Sequence, residues 1–280
     1  MSQLDIQVVI ENSPNPTRPE LFNEHGLSIY FTIDNQSWFY DVGASDKWIH
    51  NSRLLGIDIE NVDHLILSHG HNDHTGGLVS FLQNNSKADI IASNSIPLYN
   101  YFSFHHGTRN IGLGHHIYND NLHRFHFITQ SIPLSTNITA IRNSCCIYPR
   151  PFGNKYLTVE SQGIETAYTA NDEIALAITT ANGLIVISAC SHNGVLNILQ
   201  SCVNATKCSR ILAFVGGMHL IDIDAGNKDD VKYIAHTLHS LYPGIILYTG
   251  HCTGKNASKI LSEEFQDQFI MLHSGKQLTF

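Results

Sequence analysis

The chain has 280 residues, of which 42% are hydrophobic and 14% charged, a composition typical of a soluble globular protein. The formal net charge of −8 and the lack of any Lys/Arg cluster argue against binding to nucleic acid. No apolar stretch approaches the roughly 20 residues needed to span a bilayer, and the opening MSQLDIQVVIENS lacks the basic and apolar regions of a signal peptide. We therefore expect a cytoplasmic protein without membrane contacts, folded as one domain over residues 1–280.

The first third of the chain reads as short strands interrupted by two helices. Apolar and β-branched runs bounded by turn residues predict strands at 6–11, 27–33, 37–42, 64–68 and 88–93. Asp34 and Asn35 predict a hairpin turn between the second and third of these strands. Helices are predicted at 45–55, with Ser45 as N-cap and Gly56 as the stop, and at 77–84.

Residues 95–170 have weak periodicity and many Tyr, Asn and His residues, with strands predicted only at 124–129 and 138–142. A long irregular segment inside a compact domain is often an active-site lid. We therefore interpret this segment as a lid or insertion, and its aromatic side chains also make it a candidate contact for a homodimer.

Regular alternation returns at residue 173. Strands are predicted at 173–180, 184–190, 210–215 and 244–250, helices at 194–205, 228–241 and 256–265, and short strands at 269–273 and 277–280. Strands interleaved with helices predict an α/β fold.

The stretch LSHGHNDHTG (67–76) places four metal-ligand residue types directly after an apolar strand: His69, His71, Asp73 and His74. His69 and His71 alternate along the backbone and should project to one side, whereas Asp73 and His74 begin a helix and point elsewhere. One loop can thus offer two ligands to each of two ions, and imidazole with carboxylate suits zinc, iron or manganese. A single His-X-His is expected by chance in a chain with 18 histidines, but this spacing of four favours a metal site.

Three later histidines also follow predicted strands. His192, His219 and His251 come just after the strands at 184–190, 210–215 and 244–250. Each one alone is more typical of a capping or core histidine. As a set they predict strand ends that converge on a shared site.

LSHGHNDHTGG resembles the signature of the metallo-β-lactamase superfamily. GLSIYFTIDNQSWFYDVGAS resembles the preceding strands, which end in the family's structural aspartate, here Asp41, while ISACSHNGVLNIL and LYTGHCTG resemble the segments that carry the third and last histidines, here His192 and His251. LGIDIENVDHLILSHGHNDHTGGL, CSHNGVLNIL, GGMHL and HCTG are similar to a subgroup of dihydropteroate-synthase-related proteins and dihydropterin-ribofuranosylaminobenzene-phosphate synthases. The resemblance covers nearly the whole chain and implies the family's fold, an αβ/βα four-layer sandwich of two mixed β-sheets flanked by helices.

The resemblance implies a binuclear centre for two divalent ions, Zn²⁺ first, with Mn²⁺ or Fe²⁺ as alternatives. It assigns one ion to His69, His71 and His192, and the second to Asp73, His74 and His251. Asp41 is expected to orient the ligand loop by hydrogen bonds.

One position departs from the family pattern. Two-metal members usually bridge the ions with an aspartate between the third and last histidines, whereas VGGMHL places His219 there, with no acidic residue before Asp222. His219 is therefore a catalytic candidate that contacts either the substrate or the second ion. Cys190 and Cys252 occupy no ligand position of the pattern and are interpreted as packing residues, and the six cysteines, which contain no CxxC pair, are expected to be reduced.

The function implied is that of a metal-dependent hydrolase, in which metal-activated water attacks a small anionic ester or phosphoester. Asp73 is the candidate proton acceptor if only one metal is bound. The alternative is a transferase that condenses a pterin diphosphate with an arylamine and releases diphosphate. Two further classes are disfavoured: a di-iron redox protein, because no flavin domain or bridging carboxylate is visible, and a non-catalytic binding protein, because the ligand set is intact.

The pocket for this small-molecule substrate is expected to be built by residues 95–160. Side chains that could bind an anion or an aromatic ring are Arg109, Arg150, Lys155, Lys276, Tyr99, Tyr101, Phe102 and Phe104. The doublets His105-His106 and His115-His116 are candidates for the same pocket. For each of these residues a solvated surface position, or a place in the small core of the segment, is the alternative.

Overall fold

The structure is a computed structural model that describes residues 3–105, 107–222 and 228–280. The strands are β1 (Asp5–Ile10), β2 (Ser28–Ile33), β3 (Gln36–Tyr40), β4 (His64–Ile66), β5 (Asp89–Ser93), β6 (Asn100–Ser103), β7 (Arg109–Asn110), β8 (Phe125–Ile128), β9 (Ile132–Pro133), β10 (Ile138–Arg142), β11 (Leu157–Ser161), β12 (Ile164–Ala167), β13 (Ile174–Thr180), β14 (Gly183–Ser188), β15 (Ile211–Gly216), β16 (Ile246–Thr249), β17 (Phe269–Met271) and β18 (Gln277–Thr279). The α-helices are α1 (Lys47–Leu54), α2 (Asn72–Thr75), α3 (Leu78–Asn84), α4 (His115–Asn119), α5 (Val195–Thr206), α6 (Lys228–Leu241) and α7 (Lys255–Phe265). Within the described ranges, no helix has both the length and the apolar character needed to cross a membrane.

The chain divides into two compact units. Unit 1 comprises Met1–Thr129, Tyr156–Tyr168 and His273–Phe280, and unit 2 comprises Gln130–Lys155 and Thr169–Leu272. The 95–170 segment, which the sequence marks as irregular, therefore contributes residues to both units.

Unit 1 contains a seven-stranded mixed sheet in the order β18-β1-β2-β3-β4-β5-β8. The strands from β18 to β3 pair antiparallel, and those from β3 to β8 pair parallel. Asp34 and Asn35 both have positive φ and form the predicted two-residue turn between β2 and β3. A buried core lies between this sheet and its helices, with Trp48 of α1 and Phe81 of α3 packed against Phe39 of β3.

A second sheet of unit 1 was not anticipated. Its four strands, in the order β12-β11-β6-β7, come from the 95–170 segment and pair antiparallel. Strand β6 pairs with β11 across more than fifty residues, with Tyr101 opposite Val159. The local sequence carries little signal for such a sheet, because its pairing depends on a partner that is distant along the chain.

Unit 2 contains the other seven-stranded mixed sheet, in the order β17-β16-β15-β14-β13-β10-β9. Strands β14 to β17 pair parallel and β9 to β14 pair antiparallel. Helices α5, α6 and α7 bury their apolar faces against this sheet, with Leu199, Leu238 and Leu261 fully buried in the shared core. The predicted α/β class, with mixed sheets flanked by helices, is therefore confirmed.

The predicted elements differ from the observed ones mainly at their ends. Helix α1 begins at Lys47 with Asp46 as its N-cap, one residue after the predicted Ser45, although Ser45 Oγ accepts from Lys47 N at 3.3 Å. Strand β4 is shorter than predicted and ends at Ile66, so that Leu67 and Ser68 already belong to the loop that carries His69. This early end leaves the histidines on a turn at the carboxyl end of the strand.

Candidate metal centre

The His69 cluster of unit 1 lies at the carboxyl end of β4. Its members are His69, His71, Asp73 and His74, which occupy the loop after β4 and the single turn of α2. His69 and His74 are fully buried and His71 is 5% exposed. The carboxyl ends of parallel strands are the usual place for ligand sites in α/β sheets.

The three imidazoles of this cluster are in contact. His69 Nε2 lies 3.0 Å from His71 Nδ1, which confirms that these two side chains project to one side. The ring of His74 also lies against His69, with centroids 4.4 Å apart, so the expectation that His74 points elsewhere is wrong. The reason is that α2 begins immediately after His71, and its one turn brings His74 back towards the loop.

The Asp41 carboxylate is hydrogen-bonded to the loop that carries this cluster. Asp41 follows β3 with φ of 61°, is fully buried, and its carboxylate accepts from Ser68 N at 2.7 Å, Ser68 Oγ at 2.6 Å and His74 Nδ1 at 2.8 Å. Since the Ser68 hydroxyl donates to Asp41, it accepts from His69 Nδ1 at 2.8 Å. Both His69 and His74 therefore carry a proton on Nδ1, which leaves Nε2 of each ring as the nitrogen that could bind a metal, as in metal-ligating histidines. The hydrogen bonds that the sequence predicts between Asp41 and this loop are observed.

The electrostatics of the His69 cluster favour a cation. Burial lowers the pKa of His74, but the Asp73 and Asp41 carboxylates outweigh burial and raise it to about 10. Asp73 Oδ2 lies 3.5 Å from His74 Nε2 and 3.4 Å from the exposed His25 Nε2. The negative charge that holds a proton here would equally stabilise a divalent ion, so the residues present fit a metal.

Two glycines of the motif occupy positions where a larger residue would not fit. A Cβ at Gly70 would overlap the ring of Tyr101, and one at Gly77 would overlap the Val42 carbonyl oxygen and the Trp48 side chain. Tyr101 packs edge-on against His71 at 5.4 Å between centroids. Tyr101 is thus a buried core residue, the alternative that sequence left open, and not an exposed stacking platform.

In unit 2, three histidines occupy the carboxyl ends of adjacent parallel strands. His192 follows β14, His219 follows β15 and His251 follows β16, and these strands are neighbours in the sheet. All three are at most 8% exposed, and the rings of His192 and His219 lie 4.2 Å apart. His219 and His251 have φ near +50°, a conformation uncommon for a residue other than glycine that recurs at functional sites as well as in turns. The predicted convergence of these strand ends is observed within this unit.

His192 is held by two side chains that the sequence did not single out. Asn154 Nδ2 donates to the His192 carbonyl at 2.7 Å, so Asn154 Oδ1 accepts from His192 Nδ1 at 3.0 Å and leaves the lone pair on Nε2. Glu173, which is buried, accepts from His192 N at 2.7 Å and Asn193 N at 2.8 Å. Burial outweighs these hydrogen bonds and raises the pKa of Glu173 to about 7. The only sequence signal for Glu173 is an acidic residue at the start of an apolar strand.

Two thiols lie among the histidines of unit 2. Cys190 Sγ is 3.3 Å from His251 Nε2, and Cys252 Sγ accepts from His219 N at 3.2 Å. Burial raises the pKa of the Cys252 thiol, but the hydrogen bond with Cys190 and the His251 imidazole outweigh it and hold the pKa well below its usual range. Adjacency to His192 and His251 was the signal that could have marked Cys190 and Cys252 as more than packing residues.

The other candidates from the sequence lie outside these clusters. Arg109 is exposed, Arg150 donates to the Thr169 carbonyl at 2.8 Å, and Lys155 lies over the Phe152 ring. His106 is outside the described residues. Asp222, the first acidic residue after β15, caps α7 by accepting from Lys255 N at 2.7 Å and Asn256 N at 3.1 Å.

Comparison with known proteins agrees with this geometry. Residues 31–144 match the sequence profile of the Metallo-beta-lactamase superfamily. The chain is 29% identical over 277 residues to the 7,8-dihydropterin-6-methyl-4-(beta-D-ribofuranosyl)-aminobenzene-5'-phosphate synthase of Methanocaldococcus jannaschii, covering 92% of this chain and 91% of that protein.

Solved structures show the same fold. Tm1679, described as a metal-dependent hydrolase of the beta-lactamase superfamily, matches with a TM-score of 0.82 and 28% identity over 98% of both chains. The metallo-beta-lactamase fold protein YhfI of Bacillus subtilis matches over 100% of both chains with a TM-score of 0.56 and 13% identity, a likeness of fold alone. The motif, the mixed sheets and these matches together show that the chain has the metallo-beta-lactamase fold.

Proposed function

We propose that this protein is a metal-dependent hydrolase of a small anionic ester or phosphoester. The observation that carries the proposal is the His69 cluster, in which buried imidazoles are oriented by Asp41 so that Nε2 of His69 and His74 is available to an ion. The metallo-beta-lactamase fold and the match of residues 31–144 to the superfamily's sequence profile support it.

The proposed metal ligands are His69, His71, Asp73 and His74 of unit 1, and His192 and His251 of unit 2. Two divalent ions are proposed, with Zn²⁺ first and Mn²⁺ or Fe²⁺ as alternatives. When bound, such ions lower the pKa of water towards about 7 and polarise the scissile group.

The chain's own residues supply the rest of the chemistry. With only one ion bound, Asp73 is the proposed proton acceptor, since its carboxylate is 16% exposed and lies beside the imidazoles of His74 and His25. His219 is proposed to contact the substrate or an ion, because it is buried beside His192 at the position where other members have a carboxylate. The substrate itself is proposed to be a small molecule.

A transferase is the second candidate, and a specific observation favours it. The relative from M. jannaschii is named as a synthase and covers 92% of this chain. In that reaction class an arylamine, not water, would displace diphosphate from a pterin diphosphate.

Metal content of the purified protein is the first test. We expect about two equivalents of a divalent metal per chain, and a loss of metal in His69→Ala but not in His123→Ala, which changes an exposed histidine. A folded wild-type protein that cannot be loaded with any of the three metals would overturn the metal proposal.

Turnover in ¹⁸O-labelled water separates the two activities. A hydrolase incorporates the label into the product of a chromogenic phosphodiester, and His69→Ala abolishes turnover while His123→Ala retains it. Diphosphate release from a pterin diphosphate that requires an arylamine, with no label in the product, would instead establish the transferase.

A further inference from the structure

Unit 2 contains a group of metal-binding atoms that the family pattern does not include. Cys190, His219 and Cys252 each offer one ligand atom, and these atoms lie within 4.8 Å of one another. All three residues are buried, at 3%, 8% and 7% exposure. They come from the carboxyl ends of three adjacent parallel strands, β14, β15 and β16.

Cys190 is the common neighbour of the donors in this unit. Its Sγ lies 3.3 Å from His251 Nε2 and within 4.8 Å of a ligand atom of each of His192, His219 and Cys252. Around tetrahedral zinc, with bonds of about 2.0–2.3 Å, neighbouring ligand atoms are roughly 3.5–3.8 Å apart. Small side-chain rotations would therefore bring the three donors to an ion.

His219 is the independent sign that this group receives a ligand. Neither of its ring nitrogens has a hydrogen-bond partner among the described residues, although the side chain is more than nine-tenths buried. An unpaired buried imidazole costs free energy and calls for an explanation. A bound ion would satisfy one nitrogen.

The backbone around the thiols is shaped to admit them. A Cβ at Gly217 would lie 2.5 Å from Cys252 Sγ and 2.6 Å from the Ala189 carbonyl oxygen, so any larger residue would displace the thiol. Met218 N donates to Thr253 Oγ1 at 3.1 Å, which ties the His219 turn to the Cys252 turn. Packing alone would not require two thiols and an imidazole at the ends of three neighbouring strands.

The carboxylate after β15 that could have bound an ion, that of Asp222, makes other hydrogen bonds. Asp222 is the first acidic residue after β15, and both of its oxygens cap the N-terminus of α7. No other acidic side chain follows β15 before α6 within the described residues. The sulfur and imidazole donors of this group thus occupy the place after β15 where no carboxylate is available.

We propose that Cys190, Cys252 and His219 form a thiolate-imidazole site for a thiophilic divalent ion such as Zn²⁺. On binding, each thiol loses its proton to solvent and forms one sulfur–metal bond, and His219 donates a nitrogen lone pair, so no oxidant is needed. The inference deepens the metal centre of the proposed function, but its readout does not depend on hydrolysis.

Cobalt substitution tests the site. The reduced, metal-stripped full chain is titrated anaerobically with Co²⁺, and we expect the intense near-ultraviolet band of thiolate-to-cobalt charge transfer. Cys190→Ser and Cys252→Ser should each weaken this band. Cys190→Ser should also bind cobalt at least about 100-fold more weakly, because removing a residue that only hydrogen-bonds a metal ligand already lowers metal affinity by about 10–100-fold.

The matched controls are other cysteines of the same unit. Cys202→Ala removes a fully buried thiol from the core-facing side of α5, and Cys146→Ser removes an exposed one, so both should keep the wild-type band. Cobalt bound with only weak d–d bands, no cobalt bound, or a band unchanged in both Cys190→Ser and Cys252→Ser would each overturn the inference. The wild-type spectrum decides the matter even if a variant fails to fold.

The outcome is separable from that of the proposed function. A charge-transfer band in a protein that hydrolyses no ester would retain the thiolate site and overturn the hydrolase. Hydrolysis by a protein whose cobalt spectrum lacks the band would do the reverse.

Discussion

Asp41 is the residue on which the orientation of the His69 cluster depends. Its two oxygens accept three hydrogen bonds, from Ser68 N, Ser68 Oγ and His74 Nδ1. In Asp41→Asn one acceptor becomes a donor that faces other donors. We expect a loss of about 10–100-fold in metal affinity and of about 1–3 kcal/mol in the free energy of unfolding, measured by metal titration and by urea denaturation.

Asp63 offers a matched control for this substitution. It also accepts from one serine, Ser37, through N at 2.9 Å and Oγ at 2.8 Å, but it lies at the opposite end of β4. Asp63→Asn should lower stability and leave metal affinity unchanged. Equal metal affinities in the two variants would contradict an orienting role for Asp41.

The six thiols should differ sharply in reactivity. Cys146 is exposed and Cys208 half-buried, while the other four are buried, and burial raises the pKa of Cys202. Because the thiolate is the reactive form, the native protein should react with a chromogenic disulfide rapidly at Cys146 and more slowly at Cys208. Mass spectrometry after brief labelling would identify the modified residues, and rapid labelling of Cys202 would contradict the fold of unit 2.

The junction between α2 and α3 packs closely against Val42 and Trp48, next to the His69 cluster. Gly77 is the N-cap of α3, and a Cβ there would overlap the Val42 carbonyl and the Trp48 side chain. Gly77→Ala should therefore lower the free energy of unfolding by about 1–3 kcal/mol through overpacking. Gly244→Ala, where a Cβ meets nothing within 4 Å, should stay within about 0.5 kcal/mol of wild type. Urea denaturation of both variants checks the pair, and equal midpoints would show that this junction tolerates a shift.

At the scale of elements, the buried strands and the helices could be predicted from the periodicity of their own residues. Strands such as β13 and β14 are continuous apolar runs, and helices such as α6 have one apolar face, so each could be recognised alone. The sheet of β6, β7, β11 and β12 could not, because β12 is exposed throughout and the other three strands are only two to five residues long. Its strands are defined by their pairing.

For the whole molecule, metal removal should lower stability. An ion that binds only the folded chain stabilises it by about 4 kcal/mol at 1,000 times its dissociation constant. We expect a chelator to lower the thermal midpoint of the wild type, and added Zn²⁺ to restore it. His71→Ala should respond little to either treatment, whereas His123→Ala should behave as wild type. An unchanged midpoint in the wild type would contradict the proposed metal centre.

The sequence by itself determined the α/β class, the His69 cluster with its metal-ligand spacing, and the resemblance to the superfamily. These depend on residues that are adjacent along the chain, or on periodicities that a strand or helix imposes locally. It also placed His192, His219 and His251 at strand ends, because an apolar run that stops at a histidine is visible without a structure.

Only the tertiary structure decided which side chains support those residues. Asn154 and Glu173 hold His192 from about twenty to forty residues away, and Asp222 is committed to capping α7. The proximity of Cys190, His219 and Cys252 follows from the order β14-β15-β16 in the sheet, which brings their carboxyl ends to one edge. Strand order is set by long-range pairing and core packing, and no local pattern of residues encodes it.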